Sequence, residues 1–195
     1  MSKGEETRAA ILERALEVAS EVGLEGLSIG SLAKEVGMSK SGLFSHFDSK
    51  ENLQLEVLET AVERFVSTVI SPALREPRGE PRIRAIFESW LDWSQQLSGG
   101  CPFVSAANEM DDRPGLVRDR LVAYQQDWIE GLTTAARAAV QEGHFRSDLD
   151  PEQFAYDFYS IELAYQHFHR LMRDSASEAR ARRSFERLLE SCRPT

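Results

Sequence analysis

Apolar residues recur three and four positions apart along nearly the whole chain, and this spacing limits the possible folds more than any other feature. In the segment 7–22, for example, Ile11, Ala15, Ala19 and Val22 fall on one stripe of a helix. No run of four to eight residues alternates strictly between apolar and polar side chains, as a half-buried strand would. The sequence therefore predicts an all-α fold of about nine helices.

Capping residues, glycines and prolines set the predicted limits of these helices. Gly23 and Gly37 stand where helices end in the left-handed conformation, and Ser28 and Ser39 stand where N-caps are expected. The stretch 71–81 contains three prolines and a glycine, the sharpest change of composition in the chain, and we place a domain junction there. The predicted helices span about 7–22, 28–36, 39–47, 49–70, 82–97, 103–110, 114–142, 151–174 and 177–191.

The overall charge argues against a nucleic-acid partner. The 195 residues include 23 basic and 32 acidic side chains, a formal net charge of −9, whereas phosphates attract a basic surface. Residues 34–50 differ, because three lysines there outnumber two acidic residues. Any nucleic-acid site is therefore expected to be local, with few phosphate contacts and a weak dependence of binding on salt.

Cysteine usage and the lack of long apolar segments indicate a cytoplasmic protein. The two cysteines, Cys101 and Cys192, are too few for a disulfide framework or a four-ligand zinc site. The first twenty residues lack the apolar core of a signal peptide, and no window approaches 18 uncharged apolar residues. We therefore expect no secretion, no membrane-spanning helix and no membrane partner.

Residues 28–47 predict two short helices joined by a glycine-containing turn, which is the helix-turn-helix arrangement. In that arrangement the second helix enters the major groove of DNA while the first crosses the backbone. The second helix here offers Lys40, Ser41, Ser45 and His46, which can hydrogen-bond base edges and phosphates. Gly42 costs this helix about 1 kcal/mol relative to alanine, and a close approach to DNA is one reason for it. The alternative is an ordinary polar surface helix.

The segment 27–53 reads LSIGSLAKEVGMSKSGLFSHFDSKENL, and Thr7, Arg8 and Ile11 precede it. These residues resemble the N-terminal DNA-binding domain of the TetR family of bacterial transcriptional regulators, over about the first 60 positions. The resemblance implies a homodimeric repressor that binds double-stranded operator DNA and is released by a small-molecule effector. It implies a helix-turn-helix DNA-binding domain over 1–52, a linking helix over about 49–70, and an all-helical ligand-binding and dimerisation domain over 71–195.

The same resemblance implies which side chains contact DNA. The helix from Ser39 to His46 would read the groove, and Lys50 would hold a phosphate. Phe44 departs from the family, where tyrosine is common and its hydroxyl reaches a phosphate, so only apolar contact is expected from it. The predicted DNA-binding residues are Ser28, Lys34, Ser39, Lys40, Ser41, Gly42, Phe44, Ser45, His46 and Lys50.

Three of these residues have equally simple structural explanations. Ser28 fits a helix cap, which shares its N-terminal geometry with anion sites. His46 fits a cap over the start of the next helix, and Lys34 fits a solvated helix face. These alternatives stay open at the level of the sequence.

The second domain is rich in aromatic residues with polar tips, which can line an apolar cavity for a small molecule. Glu162 lies among apolar residues, where an ionised carboxylate needs a partner such as a cationic or hydrogen-bonding ligand. The aromatics equally fit a packed core, and Glu162 fits an ion pair across a dimer seam or a solvent-facing edge. The predicted residues of the site for a largely apolar effector are Trp90, Trp93, Phe103, Met110, Tyr124, Trp128, Tyr159, Glu162 and Tyr165.

No catalytic residue, cofactor or metal is predicted. The chain has no nucleophile elbow, phosphate loop, HExxH or paired-cysteine motif. His167 and His169 stand two positions apart on a predicted helix, so their rings point about 200° apart and do not easily share a metal ion. The open alternatives to a ligand-released repressor are an activator, a ligand-independent regulator, and a small-molecule carrier with a vestigial DNA-binding head.

Overall fold

The computed structural model describes residues 3–194, and these residues form nine helices and no strand. The all-α prediction is therefore confirmed. Two of the helices continue through a short π-helical stretch. The bounds are α1 Lys3–Gly26, α2 Ile29–Glu35, α3 Lys40–Phe47, α4 Lys50–Phe65 with the stretch Val66–Ile70 and a last turn Ser71–Ala73, α5 Glu80–Gln96, α6 Pro102–Met110, α7 Leu116–Gln141, α8 Pro151–Gln166 with the stretch His167–Leu171, and α9 Ser177–Cys192.

The chain packs as two compact units. The first contains the residues up to Phe65 together with Gln95–Tyr124, and the second contains Val66–Ser94 and the residues from Gln125 onward. Helices α4, α5 and α7 contribute residues to both units. The predicted DNA-binding domain 1–52 and ligand-binding domain 71–195 are defined by function and not by packing, and this division stays a prediction.

In the first unit, α1 packs against α4 and α6. Its buried stripe contains Ile11, Ala15 and Leu16, as the helical spacing predicts. Near its start, Arg8 Nη2 donates a hydrogen bond to Glu56 Oε1 of α4 at 2.5 Å. The helix therefore joins its neighbours through an apolar stripe and a polar clamp.

The loop between α5 and α6 lies directly on the backbone of α1. The N–H of Gly99 donates to Ser20 Oγ at 3.1 Å. A Cβ placed on Gly99 would lie only 1.5 Å from the carbonyl oxygen of Ser20. Only a glycine permits so close an approach of two backbone segments.

Helix α1 contains a break at Gly23, whose φ of 79° lies in the left-handed region. The sequence predicts the end of the helix here, but the chain adds a further turn to Gly26. Glu109 of α6 occupies the space that a Cβ of Gly23 would need, and its Oε2 accepts the N–H of Glu25 at 3.0 Å. This partner lies 84 positions further along the chain, beyond the reach of a local pattern.

Prolines mark helix ends less sharply than the sequence predicts. Pro72 is expected to stop α4, but it lies inside the last turn, where the backbone has just changed from π-helical to α-helical geometry. Pro114 is expected in the first turn of α7, which begins two residues later at Leu116. Pro151 does open α8, and Asp150 caps it by accepting the N–H groups of Glu152 and Gln153 at 3.0 and 3.2 Å.

Aromatic rings join α5, α8 and α9 in the second unit. Phe87 stacks on Phe185 with ring centroids 4.0 Å apart, and Phe158 stands edge-on to both. Phe154 and Phe145 extend this cluster to the segment that follows α7. These five buried rings form the core of the unit.

Candidate functional site

Serine caps fix the beginnings of α2 and α3. Ser28 Oγ accepts the N–H of Ser31 at 3.1 Å, and Ser31 Oγ accepts the N–H of Ser28 at 3.3 Å, which completes a capping box. Ser39 Oγ accepts the N–H of Gly42 at 3.0 Å. Gly37, with a φ of 69°, makes the turn between the two helices. The helix-turn-helix predicted over residues 28–47 is therefore confirmed.

Helix α3 has one buried face and one exposed face. Leu43 and Phe47, four residues apart, are buried and anchor the helix. The Phe44 ring is 49% exposed on the other side. The exposed predicted residues of α3 are Lys40, Ser41, Phe44 and Ser45. An eight-residue helix with this uncovered face is of the size that a major groove admits.

The structure also shows the surroundings of three further predicted DNA-binding residues. Lys34 is exposed near the end of α2. His46 is half-buried, with its ring centroid 6.2 Å from that of Phe47. A Cβ on Gly42 would lie 3.0 Å from Ser39 Oγ, so glycine leaves room for the cap of its own helix. The presence of glycine at position 42 thus has a structural explanation that does not involve DNA.

Lys50, the predicted phosphate ligand, is engaged within the chain. Its Nζ donates to the main-chain oxygen of Glu25 at 2.7 Å and lies 3.2 Å from Oε2 of the same residue. Arg113 Nη1 lies 3.0 Å from that Oε2, and Gln54 Nε2 donates to Oε1 at 3.3 Å. The hydrogen bond from Lys50 lowers the pKa of the Glu25 carboxyl. In the described chain, the end of α1 therefore already supplies Lys50 with a main-chain oxygen and a carboxylate.

Sequence reasoning missed both Glu25 and Arg113. Glu25 is one of eight acidic residues among the first fifty, and it stands 25 positions before Lys50. No helical spacing or short motif relates residues so far apart. Only the packing of α1 against α4 and α6 brings these side chains together.

Six of the nine predicted ligand-site residues lie in the second unit, and four of them form two contacting pairs. Trp90, Trp93 and Tyr165 are buried, and the rings of Trp90 and Tyr165 meet edge to face with centroids 5.7 Å apart. Trp128 Nε1 donates to Glu162 Oε2 at 3.1 Å. The structure thus brings Trp90 to Tyr165 and Trp128 to Glu162.

The other predicted residues have different neighbours. Tyr159 of the second unit donates its hydroxyl to Gln125 Oε1 at 3.0 Å. Phe103, Met110 and Tyr124 belong to the first unit, where Met110 is buried and Phe103 is half-buried. That these nine residues form one ligand-binding site stays a prediction.

Glu162 is the only buried acidic side chain in the described chain, with 1% of its surface exposed. This burial excludes the solvent-facing edge that the sequence left open. Its Oε1 has no hydrogen-bond partner among the described residues, and neither has Oε1 of Gln166, four residues further on. Burial raises the pKa of the Glu162 carboxyl well above its ordinary value. The side chain is therefore held in a form that resists ionisation.

Residues 3–194 contain neither a metal-binding cluster nor a membrane-spanning helix. No three histidine, cysteine, aspartate or glutamate side chains there lie together as a metal would require. No helix of this part is long and apolar enough to cross a membrane. Both cysteines are buried.

Two family models match the chain, one for each predicted domain. Residues 11–57 match the bacterial regulatory proteins of the tetR family. Residues 79–185, more than half of the chain, match the tetracyclin repressor-like C-terminal domain. The chain belongs to the TetR family. As a TetR-family protein it is a DNA-binding transcriptional regulator and not an enzyme.

Individual relatives of this TetR-family regulator act in opposite senses. The transcriptional activator FasR of Mycolicibacterium smegmatis is 32% identical over 96 residues, which are 49% of this chain and 44% of FasR. The chain thus spans less than half the length of that relative. The transcriptional repressor DhaR of Mycobacterium sp. is 23% identical over 149 residues, which are 76% of this chain and 74% of DhaR.

Solved structures of TetR-family proteins share the fold over nearly the full length. A regulator from Cytophaga hutchinsonii superposes with a TM-score of 0.87 at 20% identity, covering 100% of this chain and 98% of that one. AibR, solved in complex with isovaleryl coenzyme A and operator DNA, gives a TM-score of 0.68 at 26% identity, with 82% and 85% covered.

Proposed function

We propose that this protein is a homodimeric repressor. Its two copies of α3 would bind operator DNA, and binding of a small, largely apolar molecule would release the protein from the DNA. The observation that carries the proposal is α3 itself, anchored by Leu43 and Phe47 and uncovered on its polar face. That face includes Lys40, although the chain as a whole has a net charge of −9. A helix of this kind reads base edges while the residues around it position the DNA backbone.

The proposed DNA contacts fall into two groups. Ser41 and Ser45 would meet base edges with their hydroxyls, and Phe44 would meet a thymine methyl or a sugar. Lys34 and Lys40 would contact phosphates, and Lys50 would join them after leaving Glu25. The remaining predicted residues would support α2 and α3 beside these contacts: Ser28, Ser39, Gly42 and His46.

A second copy of the chain would bind through α8 and α9. Four large apolar side chains are exposed on α8 and its π-helical stretch: Tyr156, Leu163, Phe168 and Leu171. A shallow groove of about 340 Å³ lies beside them, between α8 and α9, and small residues such as Ala164 and Ala181 line it. Such an exposed apolar face suits packing against an identical face. A two-fold dimer also supplies the two reading helices that two half-sites require.

Release by a ligand would follow from a population shift. A compound that binds more tightly to the conformation with low DNA affinity draws the protein away from the operator by its differential affinity. The solved relative AibR, which holds both isovaleryl coenzyme A and operator DNA, supports a ligand-responsive regulator. The aromatic residues of the second unit, among them Trp128, whose Nε1 donates to the buried Glu162, support a site of apolar character.

Selection of operator DNA tests this proposal. Purified full-length protein is incubated at low salt with fragments of its own genome, the enriched fragment is confirmed by gel shift, and compounds are screened for its release. We expect a palindromic fragment, at least one releasing compound, and at least tenfold weaker binding for Lys40→Ala. The control is Arg75→Ala, an exposed cation just after the last turn of α4 and on neither proposed interface, which should bind normally. Failure to enrich any duplex would contradict the proposal.

The match with FasR favours an activator as the second candidate. The two are separated by a reporter placed behind the selected operator. Deletion of the regulator should raise expression if it represses and lower expression if it activates. A regulator that no compound releases would instead bind DNA independently of any ligand.

A further inference from the structure

A groove of about 810 Å³ in the second unit lies between the end of α4, the start of α5 and the second half of α7. Its apolar wall includes Ile70, Leu74, Ile86 and Trp128, and Leu74 is 58% exposed. The volume falls within the range of about 300–1,000 Å³ that is typical of small-molecule sites. Of the nine residues predicted for the effector, only Trp128 lines this groove.

The lining of this groove has an excess of positive charge. Three arginines, Arg78, Arg82 and Arg137, and one acidic residue, Glu130, line it. Two carboxylates outside the lining also pair with these arginines, Glu142 with Arg78 at 3.5 Å and Glu152 with Arg137 at 3.8 Å. Arg137 Nη1 pairs with Glu130 at 2.9 Å. Arg82 is therefore the cation of the lining that has no carboxylate partner in the described chain, and it is the one that can attract an anion.

Arg82 is the arginine whose charge is least compensated. Its guanidinium forms no ion pair with any carboxylate of the described chain, although the side chain is half-buried. Nε and Nη2 donate to the main-chain oxygen of Glu76 at 3.3 and 2.9 Å, and Nη2 also reaches that of Leu74 at 3.4 Å. Nη1 has no hydrogen bond among the described residues. A planar guanidinium with unused donors suits a carboxylate or a phosphate.

The two walls of the groove are joined at one end. Arg78 Nη2 donates to Gln141 Oε1 at 2.9 Å, and the N–H of Glu80 donates to His144 Nδ1 at 3.2 Å. A Cβ on Gly79 would lie 2.1 Å from the same nitrogen, so this end is closely packed. A groove held in this way exists before a ligand arrives, which lowers the entropic cost of binding.

We propose that this groove binds an anionic amphiphile, whose carboxylate or phosphate contacts Arg82 and whose hydrocarbon body lies on Leu74 and Trp128. The assignment rests on the proposed function, because it names the chemical class of the effector. Trp128 joins the groove to the interior, since its ring lines the groove and its Nε1 donates to the buried Glu162.

Calorimetric titration of the full-length protein tests the charge of the ligand. The probes share one chain length: octanoate, octyl phosphate, octan-1-ol and octylamine. We expect both anions to bind about tenfold more tightly than the alcohol, because a charge-assisted hydrogen bond to Arg82 is stronger than the neutral one that an alcohol makes, and we expect the amine to bind most weakly. Binding of only one anion would identify the head group. An alcohol or amine that binds as well as the anions would overturn the assignment.

Arg82→Gln tests the named contact. This change should erase the preference for octanoate over octan-1-ol and leave binding of the alcohol unchanged. The matched control is Arg75→Gln, which removes an exposed cation from the same stretch of chain but not from the groove. Equal losses in both variants would mean that only the overall charge matters, and would contradict the proposal.

Gly131→Leu tests the place of the hydrocarbon body. Gly131 lines the groove on α7, and a Cβ there would meet nothing within 4 Å, so the backbone tolerates a side chain that takes up space in the groove. Helix propensity should keep this variant at least as stable as the parent. We expect Gly131→Leu to lose octanoate binding and Gly131→Ala to retain it. Normal binding by Gly131→Leu would place the ligand elsewhere.

These measurements do not use DNA, so they fail separately from the proposed function. If octanoate binds through Arg82 but no compound releases the operator, the groove assignment holds and ligand release fails. If a compound releases the operator equally from the parent, Arg82→Gln and Gly131→Leu, ligand release holds and the groove assignment is wrong.

Discussion

If Lys50 contacts a phosphate, as we propose, it exchanges one anionic partner for another when the protein binds DNA. In the free chain its ammonium contacts the main-chain oxygen and the carboxylate of Glu25. Such half-exposed ion pairs contribute only up to about 1 kcal/mol, so a phosphate can displace the carboxylate. We therefore expect Glu25 to lower DNA affinity without preventing binding, while Arg113 helps to hold its carboxylate in place.

Glu25→Gln should bind operator DNA about two- to fivefold more tightly than the parent at low salt, because the amide no longer holds Lys50 by charge. Fluorescence anisotropy with the selected operator measures this effect. The effect should vanish in a Lys50→Ala background, since a double-mutant cycle isolates the pair. Glu51→Gln, an exposed change one residue from Lys50, is the control. An equal gain in DNA affinity for Glu51→Gln would mean that the loss of any negative charge nearby tightens binding, whether or not that charge pairs with Lys50.

Glu162 gives a prediction about stability and pH. Because burial raises its pKa in the folded chain, the unfolded chain ionises first as the pH rises above about 4.5. The contribution of Glu162 to stability is thus fully present below that pH and falls by at most about 1.4 kcal/mol per pH unit until the raised folded pKa is passed.

Glu162→Gln removes this titration and keeps an oxygen that can accept the Trp128 N–H. Its free energy of unfolding should therefore rise relative to the parent between pH 4.5 and pH 7. Urea denaturation at several pH values measures the difference. Parallel pH profiles for the parent and the variant would show that the carboxyl is not the source of the dependence.

Packing of the α5–α6 loop on α1 depends on one glycine. Gly99→Ala would place a methyl group against the carbonyl of Ser20, so the loop must move and lose its hydrogen bond to Ser20 Oγ. We expect a loss of about 3 kcal/mol in the free energy of unfolding, measured in urea. Gly30→Ala on α2 is the control, because its Cβ would meet nothing within 4 Å, and stability should stay equal or rise slightly. Equal free energies of unfolding for Gly99→Ala and Gly30→Ala would contradict the close contact between Gly99 and Ser20.

Elements with local determinants were predictable from the sequence, and elements with distant partners were not. The caps at Ser28 and Ser39 and the pair Leu43 and Phe47 act within one or two turns, so the spacing predicted α2 and α3 nearly to the residue. The last turn of α1 depends on Glu109, and the π-helical stretches of α4 and α8 have no sequence signal that we recognise. The groove beside Arg82 likewise forms only when α4, α5 and α7 meet.

At the scale of the whole molecule, the excess of acid limits how the protein can hold DNA. Nine net negative charges per chain repel the DNA backbone, so the few cations near α3 have to supply the attraction. Among the described residues of α2, α3 and the start of α4, the lysines are Lys34, Lys40 and Lys50. Specificity would then rest on base contacts by Ser41, Ser45 and Phe44 more than on electrostatic affinity.

The salt dependence of operator binding follows from this count. A dimer that uses three lysines per chain neutralises about six phosphates, so the logarithm of the binding constant should fall with a slope of about −5 against the logarithm of salt concentration. Lys34→Ala or Lys40→Ala should each reduce the magnitude by about 2, because each removes two contacts from the dimer. Lys50→Ala should reduce it less than the other two, since Lys50 gives up the Glu25 carboxylate to reach DNA. A parent slope near −10 would mean that cations outside this surface also contact the phosphates, and that the acidity of the chain does not restrict the interface.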